Sequence, residues 1–192
     1  MRNSGKIWVI MTVVVVGLLL LLGLLYLHGY NKAVNLEQNA EKAWADIDAT
    51  LQRRLDLVPN LVNTVKGYAE HEKELFESIA KSREKYFQAG NRGEKIEASN
   101  EMTGFLSRLL MLQERYPDLK ANENFRDLQV ALEGTENRIN VARTRYNEAA
   151  MQLNAYTRQL IGSYFCKKAG VEPVEYFKAT EQARTEVPKV EF

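Results

Sequence analysis

The pattern that most constrains this chain is a stripe of side chains that recurs every three and four residues from residue 125 to residue 160. Only one of its positions is neither apolar nor aromatic; the stripe is Phe125, Leu128, Leu132, Thr135, Ile139, Ala142, Tyr146, Ala149, Leu153, Tyr156 and Leu160. Alternating spacing of three and four is typical of a coiled-coil-like seam between nearly aligned helices. We therefore expect a helix of about 40 residues, roughly 60 Å long, in an elongated bundle.

Shorter stripes with the same spacing lie upstream. They comprise Ala40, Trp44, Ile47, Leu51, Leu55 and Val58; then Leu61, Val65, Tyr68, Leu75, Ile79 and Tyr86; then Met102, Phe105, Leu109, Leu112 and Tyr116. Pro59 lacks an amide hydrogen, which predicts a kink or tight turn between the first two stripes. Loops are expected at AGNRGE (89–94) and YPDLKANE (116–123), with Asp118, Asn122 or Asn124 as the N-cap of the last helix.

These patterns predict an all-α fold. No segment after residue 28 alternates apolar and polar residues for long enough to predict a strand. The bundle is expected to occupy residues 30–163, with antiparallel helices at about 30–57, 59–89, 94–116 and 123–163. A tail at 164–192 has room for one short helix and carries Tyr164, Phe165, Tyr176 and Phe177, which we expect to pack on the bundle.

A second constraint lies near the N-terminus, where residues 7–27 (IWVIMTVVVVGLLLLLGLLYL) form 21 consecutive residues without a charge. A helix of this length spans roughly 30 Å, the thickness of the hydrocarbon core of a bilayer. The apolar core of a signal peptide is usually shorter, about 7–15 residues, and no convincing cleavage site follows here. We predict a tail at 1–6 and a transmembrane helix at 7–29. Trp8 and Tyr26 stand at its ends as interface anchors.

The charges around this span predict its orientation. Arg2, Lys6 and the α-amino group precede it, whereas Lys32 and Lys42 follow it, interspersed with Glu37 and Glu41. Basic residues favour the cytoplasmic side of a membrane. We expect a single-pass protein of the bacterial inner membrane with a cytoplasmic N-terminus and an extracytoplasmic helical domain.

Composition and motifs exclude several classes of function. The net charge is +1, from 26 basic and 25 acidic residues, which gives no basis for nucleic-acid binding. A lone Cys166 excludes an intramolecular disulfide and a four-thiolate zinc site. Only two histidines occur, His28 and His71, and neither follows a carboxylate in the paired Glu-x-x-His motif of di-metal bundles. We predict no catalytic residue, no metal, no cofactor and no enzyme activity.

Two charged segments are candidates for a contact surface. Arg53 and Arg54 lie between stripe residues, so one guanidinium should reach the surface while the other flanks the core. Their simplest interpretation is ion pairing with neighbours such as Asp48 or Asp56. The functional interpretation is a docking point for an acidic partner or a subunit interface. On that hypothesis the contact residues are Arg53, Arg54, Glu70, His71 and Glu72.

The sequence also resembles a known family. The segments YNKAVNLEQNAEKAWADIDATLQRRLDLVPNLVNTVKGYAEHEKE (30–74), FRDLQVALEGTENRINVARTRYNEAAMQLNAY (125–156) and PKVEF (188–192) are similar to the LemA family of bacterial membrane-anchored proteins. Leu160-Ile161 departs from that family, which usually has a Phe-Pro pair there. The resemblance implies a membrane helix followed by an elongated antiparallel helical domain. It implies no established enzyme activity, cofactor or substrate.

These observations lead to three functional hypotheses. The first is a non-enzymatic, self-associating scaffold or assembly protein of the bacterial envelope, with the bilayer, a second copy or other envelope membrane proteins as partners. The second is a ligand-binding or signal-input module of a membrane sensing system, which would need a cavity lined by Tyr68, Tyr146 or Tyr156. The third, ranked last, is a hydrolase or redox enzyme that uses Cys166.

Overall fold

The computed structural model describes residues 4–178, with side chains from residue 8 onward. It contains helices α1 (Ser4–Lys66), α2 (Lys73–Gln88), α3 (Arg92–Arg115), α4 (Pro117–Ala121), α5 (Glu123–Arg158) and α6 (Leu160–Ala169). No strand occurs in this part of the chain. The predicted all-α fold with one apolar N-terminal helix is confirmed. The PKVEF segment at 188–192 lies outside the described residues.

The described residues divide into two compact units. The first unit contains 4–41 and 149–174, and the second contains 42–148 and 175–178. Helices α1 and α5 therefore contribute residues to both units.

The first unit contains the apolar segment and a small core beside its end. Within the described residues, α1 is the one helix long and apolar enough to cross a membrane, and its large apolar side chains from 8 to 27 are exposed. After this segment, Gly29 lets the ring of Phe165 lie against the α1 backbone, where a Cβ atom would collide with it. The core around this contact consists of Ala33, Ala40, Leu153, Tyr156, Phe165, Cys166 and Val171.

In the second unit, the predicted stripes form the core. Nearly every stripe position of α1 and α5 within this unit is buried, and the largest fully buried side chains are Ile47, Leu51, Leu55, Leu61, Ile79, Tyr86, Met102, Leu109, Leu112, Leu119, Phe125 and Tyr146. Each large apolar side chain contributes about 1.5–3 kcal/mol when it is fully buried. The helical period of the sequence thus identifies the faces that pack.

The tight turn predicted as one of two alternatives at Pro59 does not occur. Helix α1 continues through Pro59 to Lys66, so the predicted helices 30–57 and 59–89 do not meet there. Proline removes the amide hydrogen that would have bonded to the carbonyl of Leu55, four residues earlier. Arg83 of α2 donates from Nε to this carbonyl oxygen at 3.3 Å. A side chain from a neighbouring helix therefore replaces the missing backbone donor.

The turn lies instead at residues 67–72. The amides of Tyr68 and Ala69 both donate to the carbonyl of Val65, which closes the end of α1 next to Gly67. Tyr68 is 38% exposed and does not continue the core stripe, whereas Ala69 is buried. The sequence signal for this turn is the glycine, not the proline.

The end of the long seam also differs from the prediction. Helix α5 ends at Arg158, not at residue 163, and Leu160 is 91% exposed. The chain turns at Gln159 and folds back as α6, which brings Gly162 against the backbone of Tyr156; a Cβ atom at Gly162 would collide with its carbonyl. This close approach requires glycine.

Two asparagine N-caps fix where helices begin after the two predicted loops. Asn91 Oδ1 accepts a hydrogen bond from the amide of Glu94 at 2.9 Å and starts α3 after the 89–91 loop. Asn122 Oδ1 accepts from the amide of Phe125 at 2.9 Å, so Asn122 is the N-cap of α5 among the three candidates. The predicted loop before it contains the short helix α4.

We expect the Arg83→Ala substitution to destabilise the protein by roughly 1–2 kcal/mol, because the Leu55 carbonyl loses its donor. In a Pro59→Ala background residue 59 supplies its own amide hydrogen, so the same substitution should cost clearly less. Chemical unfolding of the four full-length proteins in detergent, followed by circular dichroism, measures this coupling. An equal cost of Arg83→Ala in both backgrounds would show that Arg83 does not serve this carbonyl.

Candidate contact surfaces

Arg54 is a buried charge that connects three helices of the second unit. Only 3% of it is exposed. Its Nη1 donates to Thr103 Oγ1 at 2.9 Å and to Glu136 Oε2 at 3.0 Å, and its Nη2 donates to Ser99 Oγ at 2.8 Å and to the Ser99 carbonyl at 3.1 Å. Burial lowers the pKa of Arg54, and Glu136 partly offsets this, but a guanidinium stays charged in proteins. Arg54 is therefore a structural residue, and its prediction as a surface contact is wrong.

A second polar cluster lies around Asp48. Its Oδ1 accepts hydrogen bonds from the Tyr86 hydroxyl at 2.6 Å and from Lys95 Nζ at 2.8 Å, and its Oδ2 accepts from Gln52 at 3.1 Å. Burial alone raises the pKa of Asp48, but the bonds from Lys95 and Tyr86 outweigh it and lower the pKa below its usual value. Burial and Asp48 together raise the pKa of Tyr86. Asp48 thus joins α1, α2 and α3, and it does not pair with either arginine of the Arg53-Arg54 dipeptide.

Arg53 points to the surface, as one of the two arginines was predicted to do. It belongs to an outward stripe on α1 that is distinct from the buried one and recurs every three or four residues: Asp46, Thr50, Arg53, Leu57, Asn60 and Thr64. Helix α5 presents a matching outward stripe: Asn124, Asp127, Ala131, Gly134, Arg138, Val141 and Arg145. The two stripes border the same surface of the second unit, and we call the depression between them the α1–α5 groove.

The α1–α5 groove consists of three open depressions of about 480, 190 and 370 Å³, from the Asn60 end to the Asp46 end. Arg53, Arg138 and Arg145 line it, and none of them forms an ion pair with another described residue. Asp46 is the acidic side chain that lines the same depression as Arg138 and Arg145. A groove with apolar and small residues between unneutralised arginines can accept an acidic, helical partner.

The other predicted contact segment lies in the turn between α1 and α2. Glu70 and His71 are exposed and make no hydrogen bond or ion pair with another described residue. Glu72 is half-buried, and its Oε1 accepts from Arg115 Nη2 at 2.8 Å. The turn therefore brings Glu70 and His71 to the surface, whereas Glu72 pairs with Arg115 at the end of α3. Among the described residues, no cluster of His, Cys, Asp or Glu is suited to hold a metal ion.

The two predicted membrane anchors lie at the ends of the apolar segment in the first unit. Trp8 is 71% exposed and Tyr26 is 44% exposed. Tyr26 also contacts the Phe165 ring edge-to-face, with 5.5 Å between centroids.

Cys166, next to Phe165, is buried, and burial raises the pKa of its thiol. A thiol that stays protonated is a poor nucleophile.

The sequence did not reveal two asparagines of α5 that hold the segment after α6. In the second unit, the Asn147 amide donates to the Phe177 carbonyl at 3.0 Å and accepts from the Phe177 amide at 2.8 Å. In the first unit, Asn154 makes the same two bonds to Val174, at 2.8 and 2.9 Å. Each asparagine directly follows a residue of the seam. This position beside the seam is the only sequence signal that could have indicated that the two side chains bind the segment after α6.

Comparison with known proteins identifies the relatives of this chain. The model of the LemA family matches residues 43–192. Magnetosome protein MamQ of Magnetospirillum gryphiswaldense is 24% identical over 174 residues, which cover 77% of this chain and 64% of the relative. Magnetosome proteins MamQ 1 and MamQ 2 of Paramagnetospirillum magneticum are each 22% identical over an alignment of 202 positions with gaps, which covers 92% of this chain and 74% of each relative. The chain thus spans slightly less than two thirds of the length of the first relative.

We expect Arg54→Ala to destabilise the protein by roughly 2–4 kcal/mol, because Ser99, Thr103 and Glu136 lose their shared donor. The matched substitution Arg53→Ala should change stability by no more than about 0.5 kcal/mol, because Arg53 is exposed. Thermal and chemical unfolding of both full-length variants in detergent provides the comparison. Equal losses in the two variants would contradict the structural role of Arg54.

The stability contributed by Asp48 should depend on pH. Its pKa is lower in the folded protein than in the unfolded chain, so acid protonates the unfolded chain first and favours unfolding. The contribution is fully present above the unfolded pKa of about 4 and is lost as the pH falls through the lower, folded pKa. The difference in unfolding free energy between the natural protein and Asp48→Asn should therefore shrink below about pH 4. A difference that stays constant from neutral to acidic pH would contradict this.

Proposed function

We propose that this chain, which belongs to the LemA family, is a non-enzymatic, membrane-anchored scaffold or assembly protein of the bacterial envelope. The exposed apolar segment of α1 supports the membrane anchor. The relatives named as magnetosome proteins support an association with a cellular structure. Their 22–24% identity supports no closer transfer of function.

The anchor is expected to place the N-terminus in the cytoplasm and the helical domain on the other side of the inner membrane. The support is the positive charge before the span, which comes from Arg2, Lys6 and the α-amino group. The smaller positive charge just after the span comes from Lys32 and Lys42. Basic groups are retained on the cytoplasmic side, and acidic residues contribute little to this bias.

The observation that carries the assembly role is the α1–α5 groove. Its three arginines lie beside apolar and small side chains on an open surface, and none forms an ion pair within the described residues. Val141 in the groove and Val130 beside it are 51% and 68% exposed. An exposed face that combines apolar side chains with charges lacking counterions is typical of a surface that a partner covers.

A second copy of this chain fits the groove by charge. The outward stripe of α5 begins with Asp127, passes through Ala131 and Gly134, and ends with Arg138 and Arg145. A two-fold axis near Gly134 would bring Asp127 of each copy towards Arg138 and Arg145 of the other. The small residues at the centre leave open space, since nothing lies within 4 Å of a Cβ atom built at Gly134. Two α5 helices could therefore approach closely.

The sensing hypothesis gains no comparable support. Tyr146 and Tyr156 are buried, and their hydroxyls donate to the carbonyls of Glu175 and Gly29. Tyr68 accepts a hydrogen bond from the Asn122 amide at the surface. These tyrosines have packing and hydrogen-bonding roles in the described residues, so they offer no ligand cavity.

Charge exchange across the groove tests self-association. One variant carries Asp127→Arg, and a second carries both Arg138→Asp and Arg145→Asp. Each variant should weaken association by about tenfold, because two-fold symmetry introduces every repulsive contact twice. Combining all three substitutions should restore much of it, because the opposite charges then face each other again. Arg108→Glu, an exposed position on α3, serves as the matched control.

The association is measured by crosslinking in membranes and by the molar mass of the full-length protein in detergent over a range of concentrations. We expect a dimer that loses stability in the two single-sided variants and regains it in the combined one. A protein that stays monomeric in detergent and gives no crosslinked product in membranes would contradict the proposal. Equal weakening by Arg108→Glu would assign the effect to net charge and contradict the groove as the interface.

A further inference from the structure

Helix α6 exposes large apolar side chains that the core of the first unit does not use. Leu160 is 91% exposed, Ile161 is 69% exposed and Tyr164 is 51% exposed. The opposite face, with Gly162, Phe165 and Cys166, is buried in the core of this unit. A ten-residue helix with this distribution is apolar on both faces over its first turns, so water is an unfavourable environment for its outer face.

The first unit places α6 directly beside the end of the apolar segment of α1. The Phe165 ring contacts the ring of Tyr26, which belongs to that segment, and lies against Gly29 just after it. At the end of α5, the Tyr156 hydroxyl donates to the Gly29 carbonyl at 3.1 Å. Leu160 and Ile161 follow this contact within five residues, so they lie near the level at which the apolar segment ends.

Polarity changes along α6 in one direction. Its exposed face begins with Leu160 and Ile161, continues with Tyr164, and ends with Lys167 and Lys168. Helices that lie in a membrane interface present apolar side chains to the acyl chains, aromatic rings to the headgroups and lysines to the phosphates. Arg158, just before α6, is exposed, and its long side chain can reach the headgroups while its stem stays in an apolar region.

We propose that the outer face of α6 inserts into the membrane interface on the side of the helical domain. Leu160 and Ile161 contact the acyl chains, Tyr164 lies among the headgroups, and Lys167 and Lys168 face the phosphates. This inference rests on the proposed membrane anchor, because α6 is placed by its contacts with the end of the apolar segment. It adds a second attachment to the lipid, in which α6 restricts the tilt and rotation of the first unit at the membrane surface.

Nitroxide labels on the full-length protein in lipid nanodiscs test the insertion. Single cysteines are introduced by Leu160→Cys and Ile161→Cys in a Cys166→Ala background, with Val15→Cys as the control inside the span. Met111→Cys, a 55% exposed position on α3 and outside the α1–α5 groove, is the control in water. If the Cys166→Ala protein does not fold, the single cysteines are introduced into the natural sequence instead, because Cys166 is buried. Labelling of the unsubstituted protein then measures how much label Cys166 takes up. Oxygen enriches in the bilayer and a charged nickel complex in water, so their ratio reports the depth of each label.

We expect the labels at 160 and 161 to favour collisions with oxygen, as the label at 15 does, and the label at 111 to favour nickel. Labels at 160 and 161 that behave like the label at 111, while the label at 15 stays in the bilayer, would overturn the insertion of α6 but leave the anchor intact. Labels shielded from both reagents would overturn it as well, because protein would then cover α6. A label at 15 that favours nickel would instead refute the anchor, and with it the proposed function.

Discussion

The second unit depends on one buried guanidinium. Arg54 carries a permanent charge that water cannot solvate at 3% exposure, so acceptors must reach it from the neighbouring helices. Ser99 on α3 and Glu136 on α5 provide them. Apolar stripes repeat along a helix and would tolerate a shift of one heptad, whereas a charge with fixed acceptors would not. We therefore infer that Arg54 sets the register of α1 against α3 and α5.

Side chains also replace missing backbone partners where the chain departs from regular helix. Arg83 donates to the carbonyl that Pro59 leaves without a donor, and α1 continues where its sequence predicts a kink or tight turn. In the second unit Asn147 satisfies both polar groups of Phe177, and in the first unit Asn154 does the same for Val174. Irregular backbone can pack against a helix only if such groups find partners. These polar residues explain why α1 continues through Pro59 and how the segment after α6 is held against α5.

The two surfaces left open by this packing differ in chemistry. The α1–α5 groove of the second unit combines arginines with small and apolar residues, which suits a charged helical partner. The outer face of α6 in the first unit has two aliphatic side chains followed by a tyrosine and lysines, which suits a lipid interface. The first surface involves Arg53, which the sequence indicated as a contact residue. The second involves Leu160, which the sequence assigned to the seam, and Tyr164, which it assigned to a tail packed on the bundle.

The sequence alone determined the helical class, the apolar span and the faces that pack, because periodicity and length are local properties of the chain. It also identified the N-cap candidates, of which Asn122 is the one used. Tertiary structure decided which arginine is buried, whether Pro59 ends a helix, and where α5 ends. Each of these depends on a partner distant in sequence: Glu136 for Arg54, Arg83 for the Leu55 carbonyl, and the close approach of Gly162 to Tyr156 for the turn at Gln159. Hydrogen bonds and steric contacts between distant residues leave no periodic pattern, and only the folded chain brings those residues together.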